Sequence, residues 1–377
     1  MHITDMSSRK IFIDATGIGV TPTGLGKYCS CLLKAIAENK DYHFHMTILH
    51  QRSLPSNHDL FSLPGKRMTF LPCDMPVVGP KRDVLVFTAL RHAINKHDIY
   101  HCLSSYLPAF GIGIPSIVTI HDLKYIMFPE LFDNWFKANY YEWIIRRGAA
   151  RATRIIAVSA ATRNDLMSLG ISPEKISVIH EASTISQKRS PLCELPAFPV
   201  REPFFLYVGD SRPHKNILKI LQAYRSLLLK MDNKCPPFVF VGSNIETSYR
   251  SQADLPTHKV FFLGPASDDQ LVYLYKNALA LVYPSLYEGF GLPILEAMSV
   301  GTPVITSNRS AMSEVAGKAA LLVDPSSPGE ISEAMNRLKE DSFLRKRLRT
   351  LGMRRAHDYS WKKTAAQTLM LYQITSA

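Results

Sequence analysis

With 377 residues, 46% of them hydrophobic and 20% charged, the chain has the make-up of a globular protein rather than a disordered one, and it is too long for one hydrophobic core, so two domains are expected. Forty-four basic against 32 acidic residues give a formal net charge of +12. That favours an anionic membrane surface or a phosphate-bearing substrate as partner, while the lack of any zinc-finger, KH or aromatic RNP pattern argues for no nucleic acid.

The opening residues hold no secretory signal pattern and no run of 18 apolar residues follows, so the chain is expected to be cytoplasmic and to cross no membrane. Lys10 to Asp14 reads as a short strand. Gly17, Gly19, Gly24 and Gly26 then form a loop ahead of a helix predicted over about residues 27–38. Gly-x-Gly-x-x-Gly fails at Pro22 and the P-loop pattern fails at Tyr28, which leaves two readings: a tight turn of permissive residues, or a turn whose amides hold a diphosphate edge. Cys29-x-Cys31 fits no zinc site, and the remaining cysteines, Cys73, Cys102, Cys193 and Cys235, form no second cluster, so reduced thiols filling cores are expected. Strands are predicted at residues 44–49, 68–71 and 99–101, with a helix over 84–95; residues 51–67 are polar and carry little signal. A strand over 114–120 ends at His121, which either bonds within the protein or contacts a sugar hydroxyl. Over residues 132–154 a helix carries Trp135, Tyr140, Tyr141, Trp143, Ile144 and Ile145 beside Arg146, Arg147, Arg151 and Arg154. It either packs on a sheet with its arginines in solvent or lies among the headgroups of an anionic bilayer. A strand from Arg154, a helix over 160–169 capped by Ser159 and a strand over 176–179 close this half.

From Ser183 to Pro203 the chain is polar and Pro-rich, which reads as a linker. A second series opens with a strand over 204–209. The loop after it, from Asp210 to Asn216, sets Arg212, His214 and Lys215 at the strand end ahead of a helix from Ile217. Its cations are either solvated or partners for a diphosphate, which matters because no Asp-x-Asp metal motif occurs in the sequence. Strands over 238–242 and 260–264 and a helix over 268–277 lead to the densest stretch. There Leu279 to Tyr283 is apolar enough for a strand buried on both faces, and Pro284 ends it. Glu288-Gly289-Phe290-Gly291-Leu292 lets backbone amides approach a ligand ahead of a helix that starts near Pro293, and such a terminus attracts phosphate. Glu296 follows eight residues after Glu288. The pair either simply favours a helix start or accepts hydrogen bonds from a sugar and a ribose. A turn and a buried strand over 300–305, the run 320–325, a helix from Pro328 and a solvated basic face carrying Arg345, Lys346, Arg347, Arg349, Arg354 and Arg355 precede a last helix opened by Tyr359-Ser360-Trp361.

The order Tyr-Pro-Ser-Leu-Tyr-Glu-Gly-Phe-Gly-Leu-Pro from Tyr283, with Glu288 and Glu296 as Glu-x7-Glu and Gly-Thr-Pro-Val from Gly301, resembles the signature of the retaining glycosyltransferase family 4. Thr23-Gly24-Leu25-Gly26-Lys27-Tyr28 resembles the loop of a subgroup containing many bacterial mannosyltransferases for surface polysaccharides. His121-Asp122-Leu123 with Pro129-Glu130, and Tyr207-Val208-Gly209 followed by Pro213-x-Lys215-Asn216, extend the match. Many members place Arg directly after that Gly, where Asp210 stands here, so Arg212 or His214 is left as the second phosphate contact.

The resemblance implies an α/β fold of the GT-B type, two doubly wound Rossmann-like domains with a cleft between them. Residues 1–185 would be the acceptor-side domain, 186–203 the linker, 204–358 the nucleotide-sugar domain and 359–377 a helix crossing back to the first. It implies transfer of a hexose, with retention, from a nucleoside diphosphate sugar, GDP-mannose first, to a hydroxyl of a lipid-linked oligosaccharide or polysaccharide acceptor in surface polysaccharide biosynthesis. No cofactor and no metal would be required, and the protein would lie peripherally on the inner face of the cell membrane. His121, Arg212, Lys215 and Glu288 would be the catalytic set: Lys215 and Arg212 stabilise the leaving diphosphate, and His121 and Glu288 position the donor sugar. Gly24, Gly26, Leu263, Gly264, Phe290, Gly291, Leu292 and Glu296 would bind the donor, with Leu263 and Gly264 near the base and Glu296 on the ribose. Two readings from other classes stay open, a GT-B sugar-nucleotide epimerase and a non-catalytic sugar-nucleotide-binding protein.

Overall fold

The computed structural model describes residues 9–20, 23–39, 44–64, 67–110, 112–131, 135–185, 200, 203–231, 234–253 and 255–375. The chain forms two compact units, residues 1–181 with 360–377, and residues 182–359. Most of the stretch read as a linker, and Cys193 with it, lies outside the described residues. The other five cysteines are free thiols.

The first unit is built on a seven-stranded parallel sheet in the order β3-β2-β1-β4-β5-β6-β7. Its strands are β1 (Lys10–Asp14), β2 (His45–Gln51), β3 (Met68–Cys73), β4 (Ile99–Cys102), β5 (Ser116–Ile120), β6 (Arg154–Ala157) and β7 (Ile176–Val178). Helices connect them: α1 (Gly24–Ala37), α2 (Pro80–Leu85), α3 (Arg91–Ile94), α4 (Lys124–Met127), α5 (Trp135–Arg151) and α6 (Ala160–Ser168). Because side chains alternate across a strand, a sheet covered on both faces needs two cores. Ile11 and Ile13 enter one cluster with Leu32, Leu33 and Ile36 of α1, whereas Phe12 enters the other with Tyr141, Ile144 and Ile145 of α5.

Two boundaries differ from the sequence reading. Helix α1 starts at Gly24, not near residue 27, because the Thr23 hydroxyl caps it by accepting from Gly26 N at 3.1 Å; Gly24 and Gly26 are therefore first-turn residues rather than loop residues. The helix expected over 84–95 begins at Pro80, following Gly79 at φ 123°, and passes through a π turn at Val86–Leu90 before α3. Pro at a first helical position loses no hydrogen bond, which is why the helix can start there.

The second unit carries a six-stranded parallel sheet in the order β10-β9-β8-β11-β12-β13. The strands are β8 (Phe204–Val208), β9 (Phe238–Val241), β10 (Val260–Phe262), β11 (Ala278–Tyr283), β12 (Val304–Ser307) and β13 (Leu321–Val323). Its helices are α7 (Ile217–Met231), α8 (Ile245–Ala253), α9 (Asp268–Asn277), α10 (Leu292–Ser299), α11 (Ser310–Ala316), α12 (Pro328–Glu340) and α13 (Ser342–His357). The basic run on α13 is not wholly solvated. Lys346, Arg347, Arg349 and Arg354 are exposed, but Arg345 donates to the Leu338 and Lys339 carbonyls and Arg355 to those of Glu314 and Val315, satisfying helix-end acceptors. The last helix, α14 (Trp361–Ile374), belongs to the first unit. Its Ala365, Leu369, Leu371 and Tyr372 join the Ile11 and Ile13 cluster, and the Tyr372 hydroxyl lies 2.6 Å from His101 Nδ1.

At the C-terminal end of β1 a charge pair is sealed in the first unit. Asp14 Oδ2 accepts from Arg82 Nη2 and from the Tyr100 hydroxyl, both at 2.7 Å, while Oδ1 accepts from the Thr16 amide and hydroxyl. Both charged side chains are almost fully buried. Removing one partner of such a pair strands the other charge in low dielectric. Arg82→Ala is expected to destabilise by about 3–5 kcal/mol, read as a lower urea midpoint, and combining Asp14→Asn with Arg82→Met should recover most of that loss.

Candidate active site

In the second sheet the strand order reverses between β8 and β11. Loops leaving the C-terminal ends of such neighbours turn to opposite faces and leave a crevice, which is where open α/β sheets take ligands. The loops at this point are the ones that carry Lys215 and Glu288. Lys215 Nζ donates to Glu288 Oε1 at 2.7 Å and to the Tyr283 hydroxyl at 2.8 Å, and that hydroxyl donates to the same Glu288 oxygen at 2.7 Å. Three side chains thus close a triangle from residues 68 and 73 positions apart in the chain.

Backbone geometry holds the triangle. Asn216 sits in the left-handed region at φ 64°, and its side-chain amide donates to the carbonyls of Pro284 (2.9 Å) and Pro325 (2.7 Å), tying together the loops after β8, β11 and β13. Leu286 N adds a bond to the His214 carbonyl at 2.8 Å. On the other side, Gly242 at φ 146° passes so near Gly209 that a Cβ would fall 1.6 Å from its carbonyl oxygen. Only glycine fits there.

Lys215 and Glu288 leave only 14% and 13% of their side chains exposed. Burial works to raise Glu288, but the Lys215 charge, with His214 and the Tyr283 hydrogen bond, holds its carboxyl below the ordinary 4.5. Burial works to lower Lys215, and the Glu288 carboxylate more than reverses that and raises it above 10.5. Both groups are charged at neutral pH. An ammonium has three protons; with two given to Glu288 and Tyr283, the third is the one an arriving anion can take.

The other expected residues are distributed as follows. Arg212 does not join the triangle: half-exposed, it pairs with Asp210, Nε to Oδ2 at 3.1 Å. Burial works to raise Asp210, yet the charges of Lys215 and Arg212 keep its carboxyl below the usual range. His214 is buried. Glu296, buried on α10, forms a separate set, with Oε1 accepting from the Thr184 hydroxyl at 2.6 Å and Oε2 from Tyr275 at 3.0 Å. The Phe290 ring is buried edge-on against Tyr359, centroids 5.8 Å apart, so this turn has backbone to offer a ligand and not that ring. Gly291, at φ 100°, occupies the N-cap of α10, which no side chain caps, and Leu292 opens the helix. Leu263 and Gly264 follow β10, two strands from β8, so they lie about 10 Å along the sheet edge at about 4.8 Å per strand.

In the first unit, a Cβ on Gly24 would meet nothing within 4 Å, whereas one on Gly26 would come within 3.4 Å of the Gly17 carbonyl and Thr23 hydroxyl. His121 has both ring nitrogens engaged, Nδ1 with Glu181 at 3.0 Å and Nε2 with the Leu103 carbonyl at 2.9 Å. Sequence reasoning missed Tyr283, which it used only as strand core, and it missed Glu181, Thr184 and Tyr275. Only Tyr283 carried a local signal, as a polar-tipped residue closing an apolar strand directly before a ligand-type loop.

Two parallel-sheet Rossmann-like domains, with an ion pair and an uncapped helix N-terminus at a switch point, define an enzyme of the GT-B class. A family model described as Glycosyltransferase Family 4 matches residues 24–182, and one described as Glycosyl transferases group 1 matches residues 195–355. The chain belongs to this glycosyltransferase family. It is 29% identical to O-antigen chain mannosyltransferase B of Escherichia coli over 97% of this chain and 100% of that protein. With O-antigen chain mannosyltransferase RfbU of Salmonella typhimurium it shares 30% identity over 59% of this chain and 60% of the relative. Sucrose-phosphate synthase from Thermosynechococcus elongatus has the same fold, with a TM-score of 0.74 at 20% identity, over 97% of this chain and 98% of that one.

The ion pair fixes a pH dependence. Glu288, held low, contributes stability that is present above its ordinary value of 4.5 and lost as pH falls through the folded value; Lys215, held high, contributes stability present below 10.5 and lost as pH rises through its own. Lys215→Met should therefore lower the melting temperature most between those limits, with the deficit shrinking once Glu288 is protonated. A deficit of equal size at about pH 3 and about pH 7 would contradict the pairing.

Proposed function

We propose that the protein transfers mannose from GDP-mannose, with retention of anomeric configuration, to a hydroxyl of a lipid-linked oligosaccharide or polysaccharide acceptor in O-antigen-type polysaccharide assembly. The observation that carries the reading is the Lys215–Glu288–Tyr283 triangle at the switch point beside the α10 N-terminus. The mannosyl donor is supported by the names of the two relatives, and the acceptor by their O-antigen role.

As the bond from the anomeric carbon to the diphosphate breaks, negative charge grows on the departing phosphate. The third proton of Lys215 and the amides of the α10 first turn are aimed by the fold before the reaction starts, so they stabilise that charge without rearranging. Glu288 orients Lys215 and accepts from a sugar hydroxyl through its remaining lone pairs. Arg212 supplies a second cation by leaving Asp210 for the diphosphate. Glu296 takes a ribose hydroxyl in place of the Thr184 hydroxyl, and Leu263 and Gly264 border the base. The leaving phosphate takes the acceptor proton, no side-chain base is assigned, and no metal enters the scheme.

We also place the protein on the inner membrane face, held by anionic lipid. Among the described residues no helix is long and apolar enough to cross a membrane. Helix α5 supports surface binding, since Trp135 and Phe136 at its start are 70% and 75% exposed while Arg147 lies over the exposed rings of Phe110 and Trp143. Aromatic rings with adjacent cations suit a headgroup layer. Trp135→Ala with Phe136→Ala should reduce sedimentation with anionic vesicles while leaving the melting temperature unchanged; undiminished binding would remove the helix from that role.

Among GDP-, UDP- and ADP-sugars, GDP-mannose is expected to raise the melting temperature most. Lys215→Ala should cut turnover by about 100- to 1000-fold, the range for losing one preorganised charge stabiliser. Near-normal transfer by that variant would defeat the mechanism, and conversion of the donor without acceptor would point to an epimerase.

A further inference from the structure

Among the described residues three that are not glycine have a positive φ: Asn216 at 64°, Asn244 at 60° and Ser310 at 52°. Asparagine enters this region with some ease, because its short amide can bond locally, but serine does so rarely. Two of the three stand at the candidate active site. Asn216 bridges the carbonyls of Pro284 and Pro325, while Ser310 opens α11 after the turn from β12 and its hydroxyl donates to the Glu288 carbonyl at 2.6 Å.

The turn that carries Ser310 is anchored on its far side. Asn308 N donates to the Val323 carbonyl at 2.9 Å, Arg309 N to the Ser307 hydroxyl at 3.1 Å, and the Arg309 guanidinium to Asp324 Oδ1 at 2.8 Å. Helix α11 also backs the glycine turn, since a Cβ on Gly291 would come within 3.8 Å of its buried Met312. Ser310 therefore reaches Glu288 from a fixed support. At the end of β12 the Thr306 hydroxyl treats the other corner of the triangle in the same way, donating to the Tyr283 carbonyl at 2.8 Å. The carbonyls of Tyr283, Pro284 and Glu288 thus accept from Thr306, Asn216 and Ser310, three side chains of neighbouring segments.

A peptide unit is planar, so pinning the Glu288 carbonyl sets the plane of the whole Glu288–Gly289 peptide. The Glu288 side chain leaves the Cα atom bonded to that carbonyl carbon, and with the plane set its carboxylate is aimed at Lys215. Glycine would adopt the Ser310 backbone without strain but would bring no hydroxyl. Strain of this kind persists where the surrounding structure over-determines it, and functional sites are where it collects.

We propose that Ser310 is a positioning residue for Glu288: it takes a left-handed backbone so that its hydroxyl can fix the Glu288–Gly289 peptide and hold the carboxylate on Lys215. The catalytic part rests on the glycosyl transfer proposed above; the pinning of the loop stands without it.

Two variants of the full chain separate the hydroxyl from the backbone. Ser310→Ala loses the hydroxyl and keeps a side chain at φ 52°, whereas Ser310→Gly loses the hydroxyl and relieves the backbone. Ser310→Gly should therefore melt above Ser310→Ala. Both should nevertheless lose kcat/KM for the donor alike, by about 2- to 12-fold, the range for one hydrogen bond. In the ligand-free protein both should also raise deuterium uptake over residues 285–291. A merely structural role would make activity follow the melting temperature and bring Ser310→Gly back toward wild type. Wild-type transfer by Ser310→Gly, or uptake over 285–291 that neither variant changes, overturns the proposal. Raised uptake in both variants of a protein whose wild type transfers no sugar leaves the pinning standing and fells the proposed function instead.

Discussion

At the switch point of the second domain one ammonium group is shared between a carboxylate and a phenol. Buried ion pairs are poor sources of stability, because the cost of stripping water from both charges rivals their attraction, and a well-packed apolar pair would often serve the fold as well. The Lys215–Glu288 pair is therefore better understood by what it leaves over than by what it holds together. Glu288 and Tyr283 fix the direction of the Lys215 stem and take two of its three protons. What remains is a single directed donor on a group that stays protonated. A lysine free in solvent would have to lose conformational freedom when an anion arrived, and here that cost is already met during folding.

The triangle can form because the chain brings two loops to adjacent strands. Between β8 and β11 lie α7, β9, α8, β10 and α9, yet the two strands are neighbours. That follows from the doubly wound order, in which the sheet grows outward in one direction, then returns to the middle and grows in the other. Asn216 and Gly242 do the local fitting, one by bridging three loops with a single amide and the other by having no side chain where two backbones nearly touch.

Much of this was legible in the sequence. The apolar runs at residues 204–208, 238–241 and 278–283 gave the buried strands because parallel sheets covered on both faces admit little else. Lys215 and Glu288 were legible as strand-end residues of the right chemistry, and their spacing to Gly291 and Glu296 carried the family resemblance. What the sequence could not show is which oxygen meets which proton. Arg212 looked equivalent to Lys215, but Asp210 two residues earlier claims it. Glu296 looked like the twin of Glu288, but helix α10 turns it toward Thr184 and Tyr275. Thr184 and Glu181 come from the polar stretch and its edge, where composition predicts only a connection and no periodicity marks a side chain as important. The start of α1 was misplaced because two glycines outweighed Thr23, although a hydroxyl three residues ahead of an amide is a stronger helix signal than glycine is a loop signal.

The carboxylates of Glu288 and Glu296 differ in the kind of partner each holds. Glu288 is bound to a cation, and a neutral hydroxyl has no reason to displace that cation; it can only add to the oxygen lone pairs still open. Glu296 is bound to two neutral hydroxyls, those of Thr184 and Tyr275, and exchanging one hydroxyl for another changes little in energy. Glu296 can therefore change partners more readily than Glu288 can.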